Sequence, residues 1–211
     1  MMRTALDHLV IACSDLDQGT DWLRARLGVE SEPGGRHASM GTHNRLLRLG
    51  PRAYMELIAL DPDAEPPPHP RWFGLDEREV RARSTREPFL LTWVAATDDV
   101  QEAVARIPEL GDVSELSWDA LRWRIALPEG GSLLHDGVMP ALIQWLGGTH
   151  PCDRLEDRGC ELQSLALQHP SATEIAVALQ MIGFDGWDAL EVGPKRLAAV
   201  IRGPSGEITL S

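Results

Sequence analysis

The sequence predicts an α+β fold of repeated β-α-β-β-β modules, with curled mixed sheets laid over helices. Three observations predict it. An apolar run followed by a capped helix recurs three times. Each helix is followed by strands separated by Gly- and Pro-bearing turns, not by another strand–helix pair. The chain has 211 residues and is 43% hydrophobic, long enough to bury roughly 70% of its unfolded surface.

The first module, residues 1–60, opens with the apolar strand 6–12. Ser14 or Asp15 is placed to cap the next helix, since a side-chain oxygen satisfies an otherwise orphaned N–H. Leu16, Thr20, Leu23 and Leu27 form the buried stripe, and Gly28 suits the left-handed residue that ends a helix. Strands at 45–49 and 54–60 flank the turn Gly50-Pro51-Arg52. Residues 61–87 are a Pro-rich linker and a short charged helix, and Arg71-Trp72-Phe73 in it suits either a flap or an anchor.

The second module spans 88–147. It has a strand at 89–96, caps at Thr97-Asp98-Asp99, a helix ended by Pro108, and strands at 122–127 and 140–146. A linker at 148–160 precedes the third module, 161–211. There Ser171 and Glu174 have capping-box spacing and Gly183 closes the helix. In every module the second strand is the least marked.

The net charge is −12, which disfavours nucleic acid and anionic membranes as partners. No run approaches the roughly 18 apolar residues of a membrane helix, and the opening residues hold no signal-peptide core. Three cysteines without a CxxC pair fit a reduced, cytoplasmic protein. No phosphate-binding glycine loop, dinucleotide fingerprint or Ser/His/Asp arrangement is present.

Some residues stand out individually. Glu56 lies on a strand otherwise made of Tyr54, Met55, Leu57 and Ile58, and a carboxylate there needs a partner. A three-residue turn sets Leu46 opposite Glu56, which puts Asn44 on the face of Glu56 and turns His43 away. Trp93 and Trp145 lie on strands of the second module and suit the wall of a small-molecule pocket. Arg36 and His37, after Gly34-Gly35, read as a loop over its mouth, with Arg36 able to hold a carboxylate or phosphate. His69, His135, His150 and His169 suggest no role.

Four stretches carry a resemblance: Asp7-His8-Leu9-Val10-Ile11, Gly34-Gly35-Arg36-His37, Gly41-Thr42-His43-Asn44 and Tyr54-Met55-Glu56-Leu57-Ile58. In this order they resemble the vicinal oxygen chelate superfamily of glyoxalase I, extradiol dioxygenases and the fosfomycin and bleomycin resistance proteins. More narrowly, they resemble its glyoxalase-like domain branch. The resemblance implies paired modules forming an open cup with helices outside. It implies a divalent metal (zinc, iron, manganese or nickel) on the inner face, held by side chains of the first and last strands. Carried over, His8 and Glu56 are ligands and catalytic groups. The partner modules offer Thr92 or Gln163 at the first-strand position, and Gln144 or Thr209 at the last. Gln144 or Gln163, or a histidine near His37, would then complete the set. Arg36, His37, Asn44, Trp93 and Gln144 would contact the substrate.

The implied function is a metal-dependent lyase, isomerase or dioxygenase acting on a small oxygen-bearing molecule. The alternatives are a metal-free binding or resistance protein on the same cup, and a domain whose cup is filled by its own tryptophans. A sheet edge left by the odd module makes a homodimer one expected assembly.

Overall fold

In the computed structural model, which describes residues 2–211, the first element is β1 (Thr4–Ala12), followed by α1 (Leu16–Leu27). Asp15 caps α1, accepting from Gln18 N, and Gly28 ends it at φ 73°. Next come β2 (Glu32–His37), β3 (Thr42–Arg48) and β4 (Tyr54–Leu60). Leu46 stands opposite Glu56, the register expected from the turn. Arg36 and His37 lie not in a loop but on β2, an edge strand with a register shift at Gly34-Gly35. The linker holds a 3-10 turn at Trp72–Gly74 and α2 (Arg78–Arg86).

The second unit contributes β5 (Phe89–Thr97), α3 (Val100–Arg106), β6 (Asp112–Trp118), β7 (Leu121–Leu127) and β8 (Ala141–Leu146). The third contributes β9 (Glu161–His169), α4 (Ala172–Met181), β10 (Ala189–Val192), β11 (Arg196–Gly203) and β12 (Gly206–Leu210). Ser171 makes no side-chain cap bond, contrary to its capping-box spacing. Its own N–H instead donates to His169 Nδ1 at 3.0 Å.

The first two units share one eight-stranded sheet, in the order β2-β3-β4-β1-β5-β8-β7-β6, joined by the antiparallel pair β1–β5. The sheet curls until its edges approach. A Cβ on Gly35 of β2 would lie 3.0 Å from the Trp118 ring of β6, so glycine lets the two edges come this close without displacing the ring. The third unit forms a separate sheet, β10-β9-β11-β12.

Alternation along the strands makes two cores. On the outer face, Leu9, Ile11, Leu57 and Trp93 pack with Leu23 and Leu27 of α1 and with Ile175, Leu179 and Phe184 of the third unit. On the inner face, Val10, Ile58, Val94, Trp123 and Ile143 pack with Trp72 and Phe73. The linker residues thus close the hollow from above. No helix of the described residues is long and apolar enough to cross a membrane.

Candidate functional site

His8 on β1 and Glu56 on β4 face the same hollow, with His8 Nε2 and Glu56 Oε2 3.6 Å apart. Both are buried. Asn44, from β3, fixes the carboxylate by donating from Nδ2 to Glu56 Oε1 at 2.5 Å. The amide is itself oriented by Gly35 N–H, which donates to Asn44 Oδ1 at 2.6 Å. A Cβ on Gly34 would lie 2.0 Å from that same oxygen. The glycine pair therefore gives Asn44 its place.

The other side of His8 is held by its neighbour. Alternation alone would turn Asp7 to the outer face, but β1 slips its register against β5 between Leu6 and His8. Such a bulge redirects a side chain, and Asp7 meets His8 instead. His8 Nδ1 lies 2.6 Å from Asp7 Oδ1. An ionised carboxylate only accepts, so Nδ1 carries the proton, and Nε2, 3.6 Å from Glu56 Oε2, is left for a ligand. Asp7 Oδ2 accepts from Trp145 Nε1 at 2.7 Å and from His150 Nε2 at 3.1 Å. His150 must donate there, because its Nδ1 accepts from Cys152 N. Burial pushes the Asp7 carboxyl up, but the bonds and charges of His150 and His8 outweigh it and hold it well below the usual carboxylate range. Tyr54 stacks on His8 at 4.6 Å. Burial, then the Asp7 and Glu56 charges, push its phenol well up.

Facing these polar groups is an apolar wall of Trp72, Phe73, Trp118, Trp123, Ile143 and Trp145. Between them lies a cavity of about 50 Å³. His37 lines it too, packed edge-on against Trp72 at 4.8 Å. Burial lowers its pKa, favouring the neutral ring.

Four expected residues stand elsewhere. Trp93 is fully buried on the outer face against Phe184, donating to Val138 O. Gln144 also points outward, accepting from Val100 N and donating to Asp98 O at the start of α3. It is Ile143 and Trp145 that turn inward. Gln163 lies in the separate sheet of the third unit. Arg36 bonds Asp61 and Asp63 and is more than half exposed.

The sequence assigned no site role to Asp7, Tyr54, His150 or Trp118, and offered Trp72 only within a flap or an anchor. Asp7 stood beside His8 in the opening stretch, and that adjacency was the available signal.

The donors facing the hollow are too few for the metal that the resemblance implies. His8 Nε2 and Glu56 Oε2 are the two ligand atoms that converge. At the matching place in the second unit, the Thr92 hydroxyl donates to Gly137 O and Gln144 points away. Among the described residues, no three His, Cys, Asp or Glu side chains group to hold an ion. Two donors fall short of the three protein ligands of a catalytic zinc site.

A model of the glyoxalase-like domain family matches residues 6–183. No curated protein matches the chain. Among solved structures, a hypothetical protein from Staphylococcus aureus is 13% identical with a TM-score of 0.60, covering 99% of this chain and 84% of that one. A methylmalonyl-CoA epimerase of Streptomyces coelicolor in complex with 2-nitronate-propionyl-CoA is 19% identical, TM-score 0.48, covering 71% and 99%. The Mycobacterium tuberculosis methylmalonyl-CoA epimerase is 18% identical, TM-score 0.40, covering 66% and 85%.

Proposed function

The chain belongs to the glyoxalase-like domain family of the vicinal oxygen chelate superfamily, and from that premise we propose that it is a proton-transfer enzyme of the isomerase or lyase type. Its substrate is a small oxygen-bearing molecule. Glu56 takes a proton from the carbon beside a carbonyl, and His8 serves as the second acid–base group. The observation that carries this reading is the run of contacts Asn44–Glu56–His8–Asp7 along one wall of the cavity. A base held by an amide and an imidazole held by a carboxylate are oriented before substrate arrives. No step passes through a metal, because two donors converge.

The apolar wall favours a second reading, a metal-free binding protein on the same cup. Proton exchange separates the two. Hydroxyacetone and 2-butanone in D2O, followed by proton NMR, are expected to lose α-protons faster with the wild type. Glu56→Gln is expected to slow this at least about a hundredfold. Equal rates for the two proteins would reject proton transfer by Glu56. Binding without exchange would favour the second reading.

A further inference from the structure

His37 on β2 stands opposite Thr42 on β3. Opposed residues share a face of a sheet, and Thr42, Asn44 and Leu46 alternate onto the face of Glu56. The His37 ring therefore enters the hollow. It meets the Trp72 and Trp123 rings edge-on, at 4.8 and 6.1 Å, and lines the same cavity as His8 and Glu56.

Thr42 fixes the tautomer of this ring. Thr42 is fully buried, and its hydroxyl bonds His37 Nδ1 at 3.3 Å and no other group among the described residues. Were Nδ1 the donor, the hydroxyl proton would lack an acceptor, which buried groups rarely tolerate. The hydroxyl therefore donates, Nδ1 accepts, and on the neutral ring Nε2 carries the proton. Burial keeps the ring neutral; the Glu56 charge acts against this, and His8 and His43 act with it.

Nε2 has no bond to any described residue, yet it is not sealed off as the Trp72 and His43 nitrogens are. Its ring lines the cavity, so the N–H is presented to a ligand there. His8 is the reverse, with its proton on Nδ1 toward Asp7 and a bare Nε2. Two imidazoles thus offer one cavity opposite functions.

Taking a proton from the carbon beside a carbonyl moves the C–H electron pair into a new C=C bond and the C=O π pair onto oxygen. The proton goes to the Glu56 carboxylate, and the negative charge passes to that oxygen. A neutral N–H already in place stabilises the charge without giving up its own proton. No Lys or Arg lines the cavity to do so. We infer that His37 is a further catalytic group, whose Nε2–H donates to the substrate carbonyl oxygen and holds the charge that grows there. The inference rests on the proton-transfer reading and adds the group that meets the oxygen.

Long-range proton–nitrogen spectra at pH 8, with His37 assigned by its loss in His37→Gln, read the tautomer in the unmodified protein. Nε2 is expected to be the protonated nitrogen and Nδ1 the bare one. Exchange of acetone α-protons in D2O, followed by proton NMR, tests the role. His37→Phe keeps the aromatic wall without the donor and is expected to exchange at least about a hundredfold more slowly. His37→Gln restores an N–H and is expected to recover most of the rate. A protonated Nδ1 overturns the inference, and so does a His37→Gln as slow as His37→Phe. Wild-type exchange by His37→Phe, where Glu56→Gln is slowed, overturns it alone. Wild-type exchange by Glu56→Gln removes the proton-transfer reading, and this inference with it.

Discussion

Asp7→Asn is the perturbation on which the site's electrostatics turn. The carboxylate receives three donors, at 2.6, 2.7 and 3.1 Å, from His8, Trp145 and His150. An amide offers one oxygen in place of two and turns a donor toward other donors. A buried bond to a charged group contributes about 1.5–3 kcal/mol, and breaking one side of a buried charged pair costs about 3–5 kcal/mol. Some cost is offset because the variant no longer buries a charge, which leaves a net loss of about 3 kcal/mol. For a chain of this length each kcal/mol moves Tm by roughly 2–4 °C, so the expected fall is roughly 6–12 °C at pH 7. The Asp7 pKa is depressed on folding. Its contribution is therefore complete above the unfolded carboxyl value, about 4, and is lost as pH falls toward the folded value. The gap between wild type and variant should be full at pH 7 and shrink below about pH 4. Thermal melts followed by circular dichroism measure both. A gap under about 1 °C at pH 7, or one that widens in acid, refutes the reasoning.

Other outcomes follow from single contacts. Gly34→Ala should displace Asn44 from Glu56, lowering stability by about 1–3 kcal/mol and slowing proton exchange; unchanged exchange would count against Asn44 as the positioning group. Trp93→Phe should destabilise by about 1–2 kcal/mol through its lost bond to Val138 O while leaving exchange at the wild-type rate. Asp99→Ala should cost about 1 kcal/mol, since Asp99 caps α3. Ser171→Ala, with no cap bond to lose, should change stability by under about 0.5 kcal/mol. Burial pushes the Cys13 and Cys152 thiols up to about 12, so native protein at pH 8 should resist alkylation at both until denaturant is added, as mass spectrometry would show.

Local rules carried much of the architecture. Asp15 and Gly28 mark the ends of α1 because capping depends on a few neighbouring atoms. The turn at residues 50–52 set the register that joins Asn44 to Glu56. The failures came from features that are not local. Asp7 shares the cup with His8 only because a bulge breaks strict alternation. His150 reaches Asp7 from 143 residues away in sequence. Gln144 was matched to Glu56 as the last-strand position of its module, and a one-residue error of parity exchanges inner and outer faces. For the same reason Trp93 joined the outer core, while Trp145 lines the cavity as expected.

The central claim is that the His8 ring lies between two carboxylates, with Nδ1 bound to Asp7 and Nε2 directed at Glu56. Ring-nitrogen chemical shifts of His8, read from long-range proton–nitrogen spectra, measure it most directly. The account predicts that Asp7→Asn, which removes the carboxylate that keeps the proton on Nδ1, shifts both nitrogens, and that Glu56→Gln shifts mainly Nε2. A His8 ring indifferent to both substitutions would contradict it.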